Sequence, residues 1–108
     1  VLVAHHAMYD VTMINNALKR QGLPKLKNKV LDTSTLFART LSLREKEKYG
    51  SHFTLDHLAE KYTIPVDDRH TALGDAYITA IAFLHILSKL KPASLNDLLK
   101  RDGVLKLW

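Results

Sequence analysis

An α/β fold is predicted by three features of this 108-residue chain. Two short apolar runs, Val1–Ala4 and Val30–Leu31, flank a helical pattern. Strand, helix and strand within about thirty residues make a βαβ unit with a right-handed crossover. The stretch His70–Leu90 reads as the longest helix, and the rest of the chain is organised around it. With 46% hydrophobic and 25% charged residues, the chain has the composition of a globular domain and enough length for one core.

Val1–Ala4 reads as a strand buried on both faces. The helix after it carries Met13, Ile14, Ala17 and Leu18 on one side; Gly22 suits the position just past its end, and Pro24 prevents it resuming. Lys25, Lys27 and Lys29 follow in a connecting loop as a solvated basic face. The second strand ends at Asp32-Thr33. Thr33 or Ser34 can cap a short helix running to about Leu41, with Leu36 and Phe37 packing inward. Arg44 to Lys48 alternates in charge and leads to a loop at Gly50-Ser51, the most polar part of the chain and its expected mobile segment. Thr54 caps a helix burying Leu55, Leu58, Ala59 and Tyr62, which Ile64-Pro65 breaks. In the long helix Leu73, Ala76, Tyr77, Ala80, Leu84 and Leu87 recur at steps of three and four, predicting a continuous buried stripe. Pro92 stops it, Ser94 is an N-cap for a last amphipathic turn or two with Leu95, Leu98 and Leu99, and a frayed tail ends at Trp108.

The formal net charge of +5 fits a polyanionic partner or an ordinary basic surface. The absence of cysteine excludes disulfides and thiolate metal sites and suits a reducing cytoplasm. No apolar run approaches the ~20 residues of a membrane helix, so no membrane partner is expected.

Ligands of α/β sheets sit outside the C-terminal ends of the strands. His5 to Asp10 follow the first strand, and His70 and Asp75 stand at the start of the long helix. If both helix starts face one sheet edge, two carboxylates and an imidazole converge, a set suited to a divalent cation and to proton transfer from water. The same residues admit a structural reading, with Asp75 favouring the first helical turns and His70 in the preceding loop. His52, His57 and His85 carry little signal, and Arg69 is either a phosphate contact or a solvated side chain.

AHHAMYDVTMINNAL, VLDTSTLFA and HTALGDAYITA, in that order, resemble the DnaQ-like (DEDDh) 3′–5′ exonuclease family, which includes bacterial proofreading subunits and ribonuclease T. The family's second motif, roughly His-Asn-Ala-x-Phe-Asp, corresponds to His5-His6-Ala7-Met8-Tyr9-Asp10. Its third, His and Asp separated by four residues, corresponds to His70 and Asp75. The resemblance covers about residues 1–90, with 91–108 as a C-terminal extension. It implies a ribonuclease H-like fold and two divalent cations, Mg²⁺ or Mn²⁺, roughly 4 Å apart. It also implies His70 as general base, Asp10 and Asp75 as metal ligands, and His5, His6 and Tyr9 as substrate contacts. The implied substrate is a single-stranded DNA or RNA 3′ end, cut to nucleoside monophosphates, with a DNA polymerase subunit as a further partner.

The chain departs from the family pattern in two places. The family's first motif, Asp-x-Glu on a first strand, is absent; Glu45-Lys46-Glu47 lies in a charged segment and is a poor substitute. The expectation is therefore a C-terminal part of an exonuclease domain, its N-terminal strands missing and the fragment inactive alone. His6 stands where the family has Asn. A competing expectation is a non-catalytic module that holds nucleic acid or a partner on a degenerate exonuclease fold. A metal phosphohydrolase of the HD type, suggested by His5-His6, lacks the His-Asp dipeptide it requires.

Overall fold

A computed structural model describes residues 1–50 and 53–102. It is a mixed α/β structure, mostly helical, with a short parallel sheet of two strands, in the order β1 (Leu2–Ala4), α1 (Ala7–Arg20), β2 (Val30–Asp32), α2 (Thr33–Thr40), α3 (Leu43–Tyr49), α4 (Leu55–Tyr62), α5 (Ala72–Leu90) and α6 (Leu95–Asp102). The strands pair in parallel with Leu2 opposite Val30, Val3 opposite Leu31 and Ala4 opposite Asp32, as the βαβ reading requires. Serine 51, His52 and the tail beyond Asp102, including Trp108, lie outside the described residues.

The main core lies between α2, α4, α5 and α6. Phe37 is fully buried at its centre, with the rings of Tyr49, Phe53 and Tyr62 edge-on to it at 5.7, 5.7 and 5.9 Å. Edge-to-face contacts of this kind match the positive ring edge to the negative ring face. Leu31, Leu36, Leu58, Ile78, Ala82 and Ile86 fill the remaining space. Alpha-6 closes one side through Leu98 and Leu99, with Ser94 accepting from the Asp97 amide as the expected N-cap. A smaller cluster of Ala7, Val11 and Val30 joins α1 to the sheet.

Several expectations change. Beta-1 is not buried on both faces: Leu2–Ala4 is half-buried, because among the described residues its only strand neighbour is β2. Alpha-1 packs through Ala7 and Val11, with Asn15 and Leu18 half-buried on the same stripe, while Met13, Ile14 and Ala17 face outward. Asn15 belongs inside because its Oδ1 accepts the Leu26 amide at 2.8 Å. The cap of α2 is Asp32, not Thr33 or Ser34. Leu43–Tyr49, expected as a charged approach to a loop, is a helix whose start is closed reciprocally by Ser42 and Glu45.

The largest correction concerns α5. Its buried residues are Gly74, Ile78, Thr79, Ala82 and Ile86, whereas Leu73, Tyr77 and Leu84 of the expected stripe are 83%, 57% and 62% exposed. The helix is apolar around most of its circumference, so two stripes satisfy the same periodicity and packing selects the one facing α2 and α4. Contrary to the expectation from apolar run length, α5 is long and apolar enough to cross a membrane by length and composition, with a mean hydropathy of 1.3.

His5 ties three elements together. Its Nε2–H donates to the Phe53 carbonyl, which leaves Nδ1 to accept from the Thr33 hydroxyl at 2.8 Å. Burial, the largest influence, holds its pKa down to about 4. The unfolded imidazole takes its proton near pH 6.5, so the unfolded chain binds more protons throughout the interval between these values. Stability conferred by neutral His5 is complete above about pH 6.5 and is lost as pH falls to about 4, by up to about 3 kcal/mol. Urea unfolding across this range should show the decline, and His5→Gln should flatten it.

Candidate active site

The starts of α1 and α5 meet at one groove of about 910 Å³ between β1 and α5. Its polar lining includes His5, His6, Asp10, Arg69 and Asp75, and its apolar lining Val3, Ala4, Ala76, Ala80 and Leu84. Each helix is preceded by a histidine in the left-handed region, His6 at φ 58° and His70 at φ 77°. That conformation costs of order 1–2 kcal/mol in a residue with a Cβ and is maintained only where surrounding bonds fix it.

For His6 the fixing group is Asp32. The His6 side chain makes no cap bond to α1. Instead the His6 and Ala7 amides donate, each at 3.0 Å, to Oδ1 and Oδ2 of Asp32 at the end of β2. Oδ1 also accepts the Ser34 amide at 2.8 Å and its hydroxyl at 2.6 Å. One buried carboxylate thus caps its own helix, α2, and the helix across the sheet, α1. This places Asp10 one turn into α1, on the groove. Asp10 makes no hydrogen bond or ion pair among the described residues, and partial burial, then the nearby Asp32 charge, raises its pKa.

At the second helix start, the His70 amide donates to Asp75 Oδ1 at 3.0 Å. Arg69 is largely buried rather than solvated, bridging Asp56 at 2.7 Å and the same Asp75 oxygen at 2.8 Å. The His70 amide, then Arg69, holds the Asp75 carboxyl below its ordinary range. Gly74 makes this turn possible: a Cβ there would stand 2.0 Å from the Asp68 carbonyl oxygen. That carbonyl accepts both the amide and the hydroxyl of Thr71, the N-cap of α5.

Of the residues expected from sequence, His5, His6, Asp10 and Asp75 line the groove together. The His5 ring nitrogens are both engaged within the chain. His70 is exposed beside the groove and is not among its lining residues. Tyr9, 69% exposed, lies with Met8, Thr12 and Met13 in a neighbouring depression that shares His6. Sequence reasoning missed Asp32 as a site residue, and it read Arg69 as a phosphate contact or a solvated side chain where the structure pairs it with Asp56 and Asp75. Asp32 carried a usable signal, since Asp followed by Thr and Ser is a helix-cap pattern at the C-terminal end of a strand.

A hexacoordinate Mg²⁺ needs about six oxygen ligands. Among the described residues no group of three or more metal-ligating side chains exists. Asp10, without a hydrogen bond or ion pair among the described residues, and Asp75, whose Oδ2 makes no hydrogen bond among them, fit as two carboxylates of a larger ligand set.

Asp32→Ala removes both caps and leaves the Ala7 amide buried without an acceptor, so urea unfolding should show a loss of roughly 2–4 kcal/mol, and Asp32→Asn a smaller one. Gly74→Ala should destabilise by about 1–3 kcal/mol, because the Asp68 backbone must move. Amide exchange should show lost protection at Thr71 and Asp75.

Residues 1–83 match the ribonuclease T family, described as exonuclease. The chain is 36% identical over 105 residues to the PolC-type DNA polymerase III of Caldanaerobacter subterraneus subsp. tengcongensis, covering 97% of this chain and 7% of that protein. It is 32% identical over 97 residues to that of Staphylococcus epidermidis, covering 90% and 6%, and 33% identical over 91 residues to that of Staphylococcus aureus, covering 84% and 6%. The chain therefore spans less than a tenth of the length of these relatives. No solved structure matches it. The match over residues 1–83, together with the α/β order of elements, establishes that the chain belongs to the exonuclease family.

Proposed function

We propose that the chain contributes to a metal-dependent 3′–5′ exonuclease site that hydrolyses the terminal phosphodiester of a single strand and releases a nucleoside monophosphate. The observation that carries this reading is the convergence of Asp10 and Asp75, from two helices far apart in sequence, on one groove. Two divalent cations, Mg²⁺ or Mn²⁺, would supply charge stabilisation at the phosphate and the leaving 3′ oxygen. Asp10 and Asp75 would hold them, with further carboxylates from outside the described residues.

His70 would accept the proton of the attacking water, a role that a neutral imidazole nitrogen can fill. Its backbone bond to Asp75 supports this role, since it couples the position of the base to that of the carboxylate. Arg69 would orient Asp75 through Oδ1. His6 and Tyr9, at the mouth of the groove and beside it, would contact the terminal nucleotide, and His5 would hold the shape of that contact from behind.

The relatives are DNA polymerases of the PolC type, which supports a DNA 3′ end as substrate, a polymerase as partner and a cytoplasmic location. Under this proposal residues 1–108 form the C-terminal part of one exonuclease domain, with 91–108 as an extension. The absence of a three-ligand cluster among the described residues favours a second reading, a non-catalytic module on the same fold.

The deciding experiment assays the full-length gene product on 3′-labelled single-stranded DNA and RNA with Mg²⁺ or Mn²⁺. Metal-dependent monophosphate release, reduced at least a hundredfold in Asp10→Ala, Asp75→Ala and His70→Ala, is the expected result. Absence of metal-dependent release from a folded full-length protein would leave the non-catalytic module.

A further inference from the structure

The net charge of the chain is confined to one segment. Between Asp10 and Asp32 there are five cations, Lys19, Arg20, Lys25, Lys27 and Lys29, and no acid; the remaining residues carry eleven charges of each sign. All five are exposed, and among the described residues none is in an ion pair. Elsewhere Lys61, Arg69 and Arg101 are matched to acids at 2.6–2.9 Å.

The segment is a fixed ridge. The chain reverses after α1 through Gly22 at φ 71°, and the Leu23 amide donates to the Leu18 carbonyl at 2.9 Å. The Leu26 amide is held by Asn15 while its side chain packs on the Ala7–Val11–Val30 cluster. The Lys29 carbonyl accepts from Leu2 at 2.8 Å. Leu26 and Val30 turn inward, and Lys25, Lys27 and Lys29 lie outward between these anchors.

Along α1 the ridge leads to the depression beside the groove, which Tyr9 and Met13 line and which shares His6 with it. Tyr9, Met13, Asn16 and Arg20 recur at steps of four, three and four, which places them on one stripe, and all are exposed. That stripe starts beside Asp10 and ends at the basic turn, about 16 Å along the helix axis. An aromatic and a thioether near the site, followed by a run of unneutralised cations, is the chemistry that binds a single strand through base stacking and phosphate contacts.

We propose that the outer stripe of α1 and the Lys25–Lys27–Lys29 ridge form a track for the strand upstream of its 3′ end, binding its phosphodiester backbone without reading sequence. The track rests on the exonuclease reading of the groove and adds to it a surface that runs from the neighbour of Asp10 to the far end of α1.

The test is fluorescence anisotropy of the full-length gene product with labelled oligothymidylate of about fifteen nucleotides, in EDTA, over a series of salt concentrations. Replacing Lys25, Lys27 and Lys29 by Gln should weaken binding at low salt at least tenfold. It should also reduce the slope of log affinity against log salt by about 2, the value for three single-strand phosphate contacts. A labelled dinucleotide, too short to span from Asp10 to the ridge, should lose less than twofold. An unchanged slope, or equal losses for both lengths, overturns the track. So does tighter binding of anionic lipid vesicles than of the oligonucleotide. Monophosphate release by the wild-type protein reports separately on the groove: nuclease activity with an unchanged slope removes the track alone, whereas a lysine-dependent slope without nuclease activity keeps the track and removes the exonuclease reading.

Discussion

Asp32 is the constraint on which the arrangement depends. A helix start leaves several amides without partners, and burying them unpaired costs about as much as a lost hydrogen bond each. Alpha-1 begins against the sheet with a histidine in a left-handed conformation and no cap of its own. Only a carboxylate arriving from the neighbouring strand satisfies those amides while also capping α2. The parallel pairing of β1 and β2 sets Ala4 opposite Asp32, and this register brings the carboxylate to the turn. Strand register, helix start and the position of Asp10 are therefore one solution to one hydrogen-bonding problem.

The second helix start solves a similar problem differently. Here the acidic residue is inside the helix, and Asp75 reaches back to the amide of His70. Arg69 balances its charge and anchors the turn to Asp56 on α4, so the position of Asp75 depends on α4 as well as α5. Gly74 admits the Asp68 carbonyl against the helix. The two sides thus differ electrostatically: among the described residues the carboxylate on α1 has no cation paired with it, and the one on α5 is paired with Arg69.

The order of elements other than α3, the parallel pairing and the helix boundaries at Gly22, Thr54 and Ser94 were legible in the sequence, because each rests on local chemistry. The buried faces of α1 and α5 were not. On α5 apolar residues surround the axis, so periodicity alone cannot select the stripe that meets α2 and α4. On α1 the decisive inward residue is polar, Asn15, held by a bond to Leu26 eleven positions away. The motif residues His5, His6, Asp10 and Asp75 were legible as a group through resemblance and fall on one groove. The double capping by Asp32 was not, since it depends on a cross-strand register that no single stretch encodes.

Beta-1 pairs on one side only among the described residues, and α5 leaves Leu73, Tyr77 and Leu84 uncovered beside it. An unpaired strand edge next to an apolar face is in general a template for a further strand or apolar surface. Salt acts differently on these two kinds of surface: it screens the attraction of the exposed cations of α1 and of Lys25, Lys27 and Lys29 for a polyanion, whereas burial of an apolar face carries no such charge dependence.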